Sequence, residues 1–171
     1  LDLLSRSLEI ARKEGTPYLE PGSFGGLGNI HLGLGDREKA VDCYNQQLAR
    51  YRHLGDRRGM ATALNSLGNV SYLAGEKERA LDYLNQSLNL FRQAGVRQWE
   101  AATLYALARV NYSIGNLDEA RTQIEAALEI RESLRANVSR QDLRESFFSS
   151  VQSGFELHLE LLMSLHQQRP T

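Results

Sequence analysis

The sequence repeats itself every 40 residues. Residues 24–55 and 64–95 share 12 identities over 32 aligned positions without a gap. Leucine, glycine and alanine recur at fixed places in this period. The recurring residues are Leu27, Leu67 and Leu107; Gly35, Gly75 and Gly115; Ala40, Ala80 and Ala120; and Leu48, Leu88 and Leu128. A constant period of this length is typical of stacked helical repeats, in which each unit buries its apolar face on its neighbours.

The period divides the chain into segments that we expect to form one elongated all-α domain. The first residues have apolar side chains at i, i+3, i+4 spacing, as in an amphipathic helix, and they match the second half of the repeat unit. The sequence therefore predicts the second helix of a truncated repeat at 1–15, full repeats at 16–55, 56–95 and 96–135, and a long C-terminal helix at 139–168. Because the chain begins inside this pattern without a methionine, it is interpreted as a piece of a larger protein.

Glycine and aspartate predict where the helices begin and end. The first helix of repeat one, about 17–34, contains five glycines that each cost about 0.5–1 kcal/mol relative to alanine, so we expect it to be distorted or to start late. Asp36 is expected to cap the next helix, about 36–53, which should end at Gly55. The recurring alanines mark where paired helices should approach most closely.

Composition restricts the kind of partner. The formal net charge is −1, so no overall field favours nucleic acid or an anionic membrane. The single cysteine, Cys43, excludes an internal disulfide framework and fits a reducing compartment. No run approaches the roughly 20 apolar residues of a membrane span. We therefore expect a cytoplasmic protein without nucleic-acid or membrane binding.

The small and large residues of the second repeat resemble those of the tetratricopeptide repeat (TPR). They are Leu67, Gly68, Ala80, Leu84 and Leu88, with matching residues in repeats one and three. This resemblance covers about residues 1–135 and implies an all-α, right-handed TPR superhelix of antiparallel helix pairs, an α-solenoid. The usual unit has 34 residues, whereas this one has 40, which implies helices longer by nearly a turn.

The longer unit is similar to a particular class of TPR scaffold. Leu-Gly-Asn occurs at 27–29 and 67–69, as in the Leu-Gly-Asn subclass that binds peptides, although repeat three departs from it with Leu107-Ala108-Arg109. In the TPR family, the first helix of each repeat lines a concave groove. The inward positions carried over by this resemblance include Asn29 in repeat one, Asn65, Asn69 and Tyr72 in repeat two, and Tyr105, Arg109 and Tyr112 in repeat three.

These residue types suit the binding of a peptide. An asparagine side chain can pair with both N–H and C=O of an extended backbone, tyrosine supplies rigid area with a polar tip, and arginine can clamp a carboxylate. We expect a peptide or partner segment to lie across repeats two and three. The alternative for Tyr72 and Tyr112 is that they pack between repeats.

Residues 138–170 resemble the segment that joins TPR arrays to CHAT domains, which have a caspase-like cysteine peptidase fold, in bacterial and especially cyanobacterial proteins. The resemblance rests on three features: Gln141-Asp142-Leu143-Arg144, the aromatic pair Phe147-Phe148, and Leu161-Leu162-Met163 followed by Leu165-His166. It implies that a CHAT peptidase domain follows in the same parent chain. Its catalytic His and Cys would then lie beyond Thr171, and no residue of this chain inherits a catalytic role.

No motif predicts catalysis, a cofactor or a metal. Cys43 is interpreted as a structural or surface thiol, because the equivalent positions of the other repeats carry no cysteine. His158 and His166 lack the spacing of metal ligands. The glycine-rich stretch 22–28 lacks the Gly-Lys-Ser/Thr ending of a phosphate-binding loop. We therefore expect a protein that is not an enzyme.

The sequence as a whole predicts a protein–protein interaction scaffold, the recognition or regulatory arm of a larger CHAT-domain protein. One alternative is a self-assembly module that forms a homodimer through exposed repeat ends. Another is a peptide-sensing regulator domain, which would require a DNA-binding helix-turn-helix elsewhere in the parent protein.

Overall fold

The structure, a computed structural model, describes residues 19–136 and, before them, Arg6, Glu9, Ile10 and Lys13, which have helical backbone. The remainder of the helix predicted at 1–15 lies outside the described residues. The long C-terminal helix predicted at 139–168 also lies outside them.

Six α-helices and no strand form between residues 19 and 136. They are α1 (Leu19–Gly33), α2 (Arg37–Leu54), α3 (Arg57–Leu73), α4 (Lys77–Gln93), α5 (Arg97–Ser113) and α6 (Leu117–Ala136). Each 40-residue unit therefore contains two helices, and the all-α prediction is confirmed. The glycine-rich first helix is continuous from Leu19 to Gly33.

Glycines end the helices at intervals of 20 residues, half the period of the sequence. The residues of the described chain with positive φ are all glycines, with φ between 66° and 85°; they are Gly35, Gly55, Gly75, Gly95 and Gly115. A left-handed backbone costs glycine little and other residues considerably more. The repeated glycines therefore fix both the lengths of the helices and the places where the chain reverses.

The helix starts differ in how well they are capped. The Asp36 carboxylate accepts a hydrogen bond from the Lys39 backbone N–H at 3.3 Å, which confirms the predicted cap of α2. Asp56 caps α3 in the same way, through the Gly59 N–H at 3.0 Å. Glu76 and Val96 occupy the corresponding positions of α4 and α5 without a side-chain cap.

The helices belong to two compact units, which divide between Gly95 and Val96. In the first unit, α1 packs on α2, α2 on α3, and α3 on α4. In the second unit, α5 packs on α6. Within the described residues, each unit therefore consists of antiparallel neighbours joined by short glycine turns.

Close packing in the first unit depends on small residues that face large ones. A Cβ atom added at Gly28 would lie 2.5 Å from Cε1 of Tyr44, and one added at Gly68 would lie 2.6 Å from Cγ of Leu84. Ala40 and Ala80 are fully buried, as expected for the points of closest approach. The glycines that weaken α1 by propensity thus make room for side chains of α2.

In the second unit the corresponding contact has alanine in place of glycine, which adds one carbon atom. Ala108 stands where the first two repeats have glycine, and it packs in one apolar cluster with Ala120 and Ile124. Ala120 is fully buried, like its counterparts in the first unit. The repeat therefore keeps a small residue at this contact, but not the same residue in every unit.

Candidate functional site

A row of incompletely buried polar and aromatic residues runs along α3. Asn65, Asn69 and Tyr72 are all half-buried, whereas the apolar residues between them, such as Leu67 and Val70, are buried. Three and four residues separate the members of the row, so they lie on one side of the helix. The structure therefore brings the three predicted residues of repeat two together on one surface.

Asn65 and Asn69 form a local hydrogen-bonded pair. The Asn69 side-chain N–H group donates to the backbone oxygen and to Oδ1 of Asn65, both at 2.9 Å. This i, i+4 contact orients the Asn69 amide along the helix. A bound backbone would therefore encounter an amide pair held in one orientation.

Asn29 at the equivalent position of repeat one has a different environment. Its Oδ1 accepts a hydrogen bond of 2.7 Å from the Tyr44 hydroxyl of α2. Tyr44 is 1% exposed, and burial raises its pKa to about 12, with a smaller contribution from Cys43. The Asn29 carbonyl thus satisfies a buried phenol, which limits what it can offer to a peptide.

The predicted residues of repeat three lie along α5 in the second unit. Tyr105, Arg109 and Tyr112 are half-buried at the same three- and four-residue intervals as the row on α3. Tyr105 and Tyr112 also pack against the cluster that contains Ala108 and Ile124. Tyr112 therefore packs within its own repeat, in addition to any contact that it makes with a partner.

The Arg131 guanidinium of α6 stacks over the Tyr105 ring, 4.6 Å from its centroid. The Tyr105 hydroxyl is buried and has no hydrogen-bond partner among the described residues. Burial raises the pKa of this hydroxyl, and the positive charge of Arg131 opposes that effect. Sequence reasoning did not connect Arg131 with Tyr105, because the two residues lie 26 positions apart and no local pattern joins them.

A second surface feature lies on the opposite side of α3. A crevice of about 430 Å³ is floored by Leu67, Val70, Ser71 and Ala74 of α3, with walls from the beginning of α2 and from residues 76–83 at the beginning of α4. At 3.6 residues per turn, this floor lies about half a turn from Asn65, Asn69 and Tyr72. No pattern in the sequence predicts a cavity here.

Other chemistry has little support among the residues that the structure describes. They contain no group of three or more His, Cys, Asp and Glu that could hold a metal ion. Cys43 is half-buried, and burial, reinforced by the negative charge of Asp42, raises the pKa of its thiol. Both effects disfavour the thiolate that a cysteine nucleophile requires. In the same part of the chain, no helix is both long and apolar enough to cross a membrane.

Several solved structures have folds similar to that of this chain. BtubC (BKLC) from P. vanneervenii superposes with a TM-score of 0.67 and 19% identity, covering 98% of this chain and 77% of that one. The TPR-like repeats of a kinesin light chain protein of Podosopora anserina give a TM-score of 0.61 and 16% identity, with coverage of 99% and 87%. MamA superposes with a TM-score of 0.56 and 18% sequence identity, covering 96% of this chain and 89% of that one. At these identities the likeness concerns the fold.

Sequence-family comparison agrees with this fold. No curated protein matches the sequence at a significant level. Two family models described as tetratricopeptide repeat match residues 19–93 and 101–134, and together they cover more than half of the chain. The predicted TPR resemblance is therefore confirmed for these residues, and the chain belongs to the tetratricopeptide-repeat family.

Proposed function

We propose that this protein is an interaction module that binds extended segments of partner proteins on the half-exposed row of α3 in the first unit and on the equivalent row of α5 in the second unit. TPR repeats generally mediate protein–protein interaction. The observation that carries the proposal is the recurrence of polar and aromatic residues at equivalent positions of the two helices, on a side that core packing leaves half-exposed. The expectation that a single segment spans repeats two and three remains a prediction.

On α3, the row is suited to a peptide backbone. The oriented amides of Asn65 and Asn69 provide both donors and acceptors, as an extended chain requires. Tyr72, one turn further along, adds a rigid ring whose ordering costs little entropy. These groups would hold a segment by its main chain and leave sequence selection to neighbouring side chains.

On α5, the row is suited to a partner group that accepts hydrogen bonds. A buried hydroxyl without a partner costs about 1–3 kcal/mol, so a movement of the Tyr105 side chain that brings its hydroxyl to an incoming carboxylate or carbonyl oxygen would recover part of that cost. Arg109 on the same row and Arg131 above the Tyr105 ring make the surroundings positive. An acidic side chain or a C-terminal carboxylate is therefore the partner group that we infer for this row.

The test uses peptides selected from a phage-displayed library against the 171-residue chain. The Asn69→Ala and Arg109→Ala variants should each bind the selected peptides about tenfold more weakly, since each loses one or more hydrogen bonds to the ligand. Asn85→Ala and Arg52→Ala remove the same side chains from exposed positions of α4 and α2, and they serve as matched controls. Unchanged affinity of N69A and R109A would rule out these rows as the binding surface.

We also propose that the chain is the recognition arm of a cytoplasmic bacterial protein with a CHAT peptidase domain. The support is the resemblance of residues 138–170, which lie outside the described residues. Sequencing the parent gene beyond Thr171 tests this proposal. A downstream domain with His and Cys after successive strands would support it, whereas an unrelated domain or an early stop codon would refute it and leave the interaction module unaffected.

A further inference from the structure

The turn between α2 and α3 carries an excess of positive charge. Arg50 and Arg52 lie near the end of α2, and Arg57 and Arg58 are the first two residues of α3. We call these four arginines the basic edge. All four are exposed, and a turn of only two residues joins the helices that carry them. The four guanidinium groups therefore share one end of the first unit.

Two carboxylates of the described helices accompany the basic edge, and both are engaged. Glu20 of α1 forms an ion pair with Arg50, with 2.9 Å between Oε2 and Nε. Asp56 accepts a hydrogen bond of 3.0 Å from the Gly59 N–H and so caps α3. The other three arginines of the basic edge form no ion pair with any described residue. Their hydrogen-bond donors are therefore open to a partner.

The turn between α1 and α2 contains the same kinds of side chain but balanced charge. Asp36 and Glu38 match Arg37 and Lys39 in number. Asp36 also forms an ion pair with Lys39 at 2.7 Å. The uncompensated positive charge is therefore particular to the basic edge and is not a general property of the turns in this unit.

Helix stability does not explain the two arginines at the start of α3. The start of a helix is the positive end of its dipole, so acidic residues stabilise it and basic residues do not. The first turn of each of the other five described helices contains an acidic residue, whereas that of α3 contains none. Charges that oppose local stability are expected where a surface has a function.

Packing holds the two helix ends of the basic edge together. The Tyr51 ring of α2 lies over Gly59 of α3, where an added Cβ atom would clash with the ring. Tyr51 is half-buried by this contact and its surroundings. The arginines on either side are therefore presented from two packed helices, and a ligand does not have to order the backbone when it binds.

We propose that the basic edge binds an acidic segment of a partner protein. The guanidinium groups of Arg52, Arg57 and Arg58 offer planar pairs of N–H donors, which match the two oxygens of an Asp or Glu carboxylate. Complementary charge also accelerates the encounter of two proteins and excludes partners of the same sign. A segment with several consecutive acidic residues is therefore the ligand that this surface fits.

The basic edge borders the row on α3 but is distinct from it. Arg58 and Asn65 are seven residues apart, which places them on the same side of α3 and about 10 Å apart along its axis. An extended chain covers this distance with about three residues. A segment bound to the row can therefore reach the basic edge, yet binding at the basic edge can be measured without the row.

The test is fluorescence anisotropy of labelled, capped hexaglutamate titrated with the 171-residue chain in about 100 mM NaCl, where charges more than about 10 Å apart are screened. Saturable binding is expected, and capped hexaglutamine should bind about tenfold more weakly. A thymidine heptanucleotide carries the same number of negative charges as hexaglutamate. Equal binding of the two peptides, or tighter binding of the oligonucleotide, would overturn the proposal of an acidic protein segment.

Variants separate the basic edge from the rest of the surface. Arg52→Gln/Arg57→Gln/Arg58→Gln should bind hexaglutamate about tenfold more weakly, with an unchanged circular dichroism spectrum. R37Q/R79Q/R121Q removes the same charge from other exposed positions and should bind like the parent. N69A, which alters the row, should also bind hexaglutamate like the parent. Undiminished binding by R52Q/R57Q/R58Q, or an equal loss in R37Q/R79Q/R121Q, would refute the basic edge and leave the proposed row to its own test.

Discussion

The Gly68→Ala substitution tests the close approach between α3 and α4. A Cβ atom at this position would lie 2.6 Å from Cγ and 2.8 Å from Cδ2 of Leu84, and 3.3 Å from the backbone oxygen of Ala80. Leu84 and Ala80 are fully buried. Because Cγ is the branch point of the leucine and not its flexible end, either the Leu84 side chain or the helix backbone must move.

The magnitude follows from two opposing terms. Alanine in place of glycine within a helix gains about 1 kcal/mol by propensity. Overpacking a filled core by one methyl group costs about 1–3 kcal/mol. We therefore expect G68A to destabilise the protein by about 1 kcal/mol and to lower Tm by about 2–4 °C in a chain of this size.

The assay is urea unfolding followed by circular dichroism, with Gly22→Ala as the matched control. No atom lies within 4 Å of a Cβ atom added at Gly22, also a helical glycine, so G22A should stabilise by about 0.5–1 kcal/mol. The m-value shows whether both variants unfold in the same manner as the parent. The difference between the two variants, about 2 kcal/mol, is the quantity that the packing argument predicts.

A second substitution identifies the contact responsible. Repeat three combines Ala108 with Ile124 in one cluster, so Leu84→Ile should accommodate the new methyl group of Gly68→Ala. We expect G68A/L84I to be more stable than the sum of the two single effects, by about 0.5–1 kcal/mol. Additive effects, or a G68A variant as stable as G22A, would refute the reasoning.

Three further substitutions or conditions test local features. Val96→Asp should add the cap that Asp56 provides one repeat earlier and raise the unfolding free energy by about 1 kcal/mol, measured in urea; a loss would contradict the capping argument. Burial raises the pKa of Tyr44 from 10 to about 12. The stability that its neutral phenol contributes to the folded state is therefore complete below pH 10 and is lost as pH rises through 12. Tyr44→Phe should therefore flatten the alkaline loss of stability relative to the parent. Cys43 should react with iodoacetamide at pH 7.5 more slowly than glutathione, and denaturant should remove the difference; equally fast labelling of the folded protein would contradict its raised pKa.

The elements of the fold were largely predictable because their causes are local. The cap at Asp36 and the end of α2 at Gly55 follow from residues within one helical turn. The fully buried Ala40 and Ala80 follow from the period, since a small residue at the same place in every unit implies the same close contact. The stability of glycine-rich α1 was less predictable, because its compensation comes from Tyr44 on another helix.

The candidate site was predictable in position but not in chemistry. The rows on α3 and α5 follow from counting residues along a repeat, and the structure finds them half-exposed. The Asn65–Asn69 bond could have been anticipated from its i, i+4 spacing. The Asn29–Tyr44 bond and the Arg131–Tyr105 stack could not, since each joins two helices whose relative rotation decides which side chains meet.

The sequence by itself determined the all-α repeat, the lengths of its helices and the faces that they bury, because a 40-residue period repeats the same short-range signals in every unit. Only the tertiary structure decided which polar groups form hydrogen bonds between helices, as Asn29 and Tyr44 do. It also created the crevice beside Ser71 and Ala74, where three helices contribute side chains from residues 37 to 83. The physical reason is that cavities and buried hydroxyl groups depend on how helices pack in three dimensions, which no periodicity along the chain records.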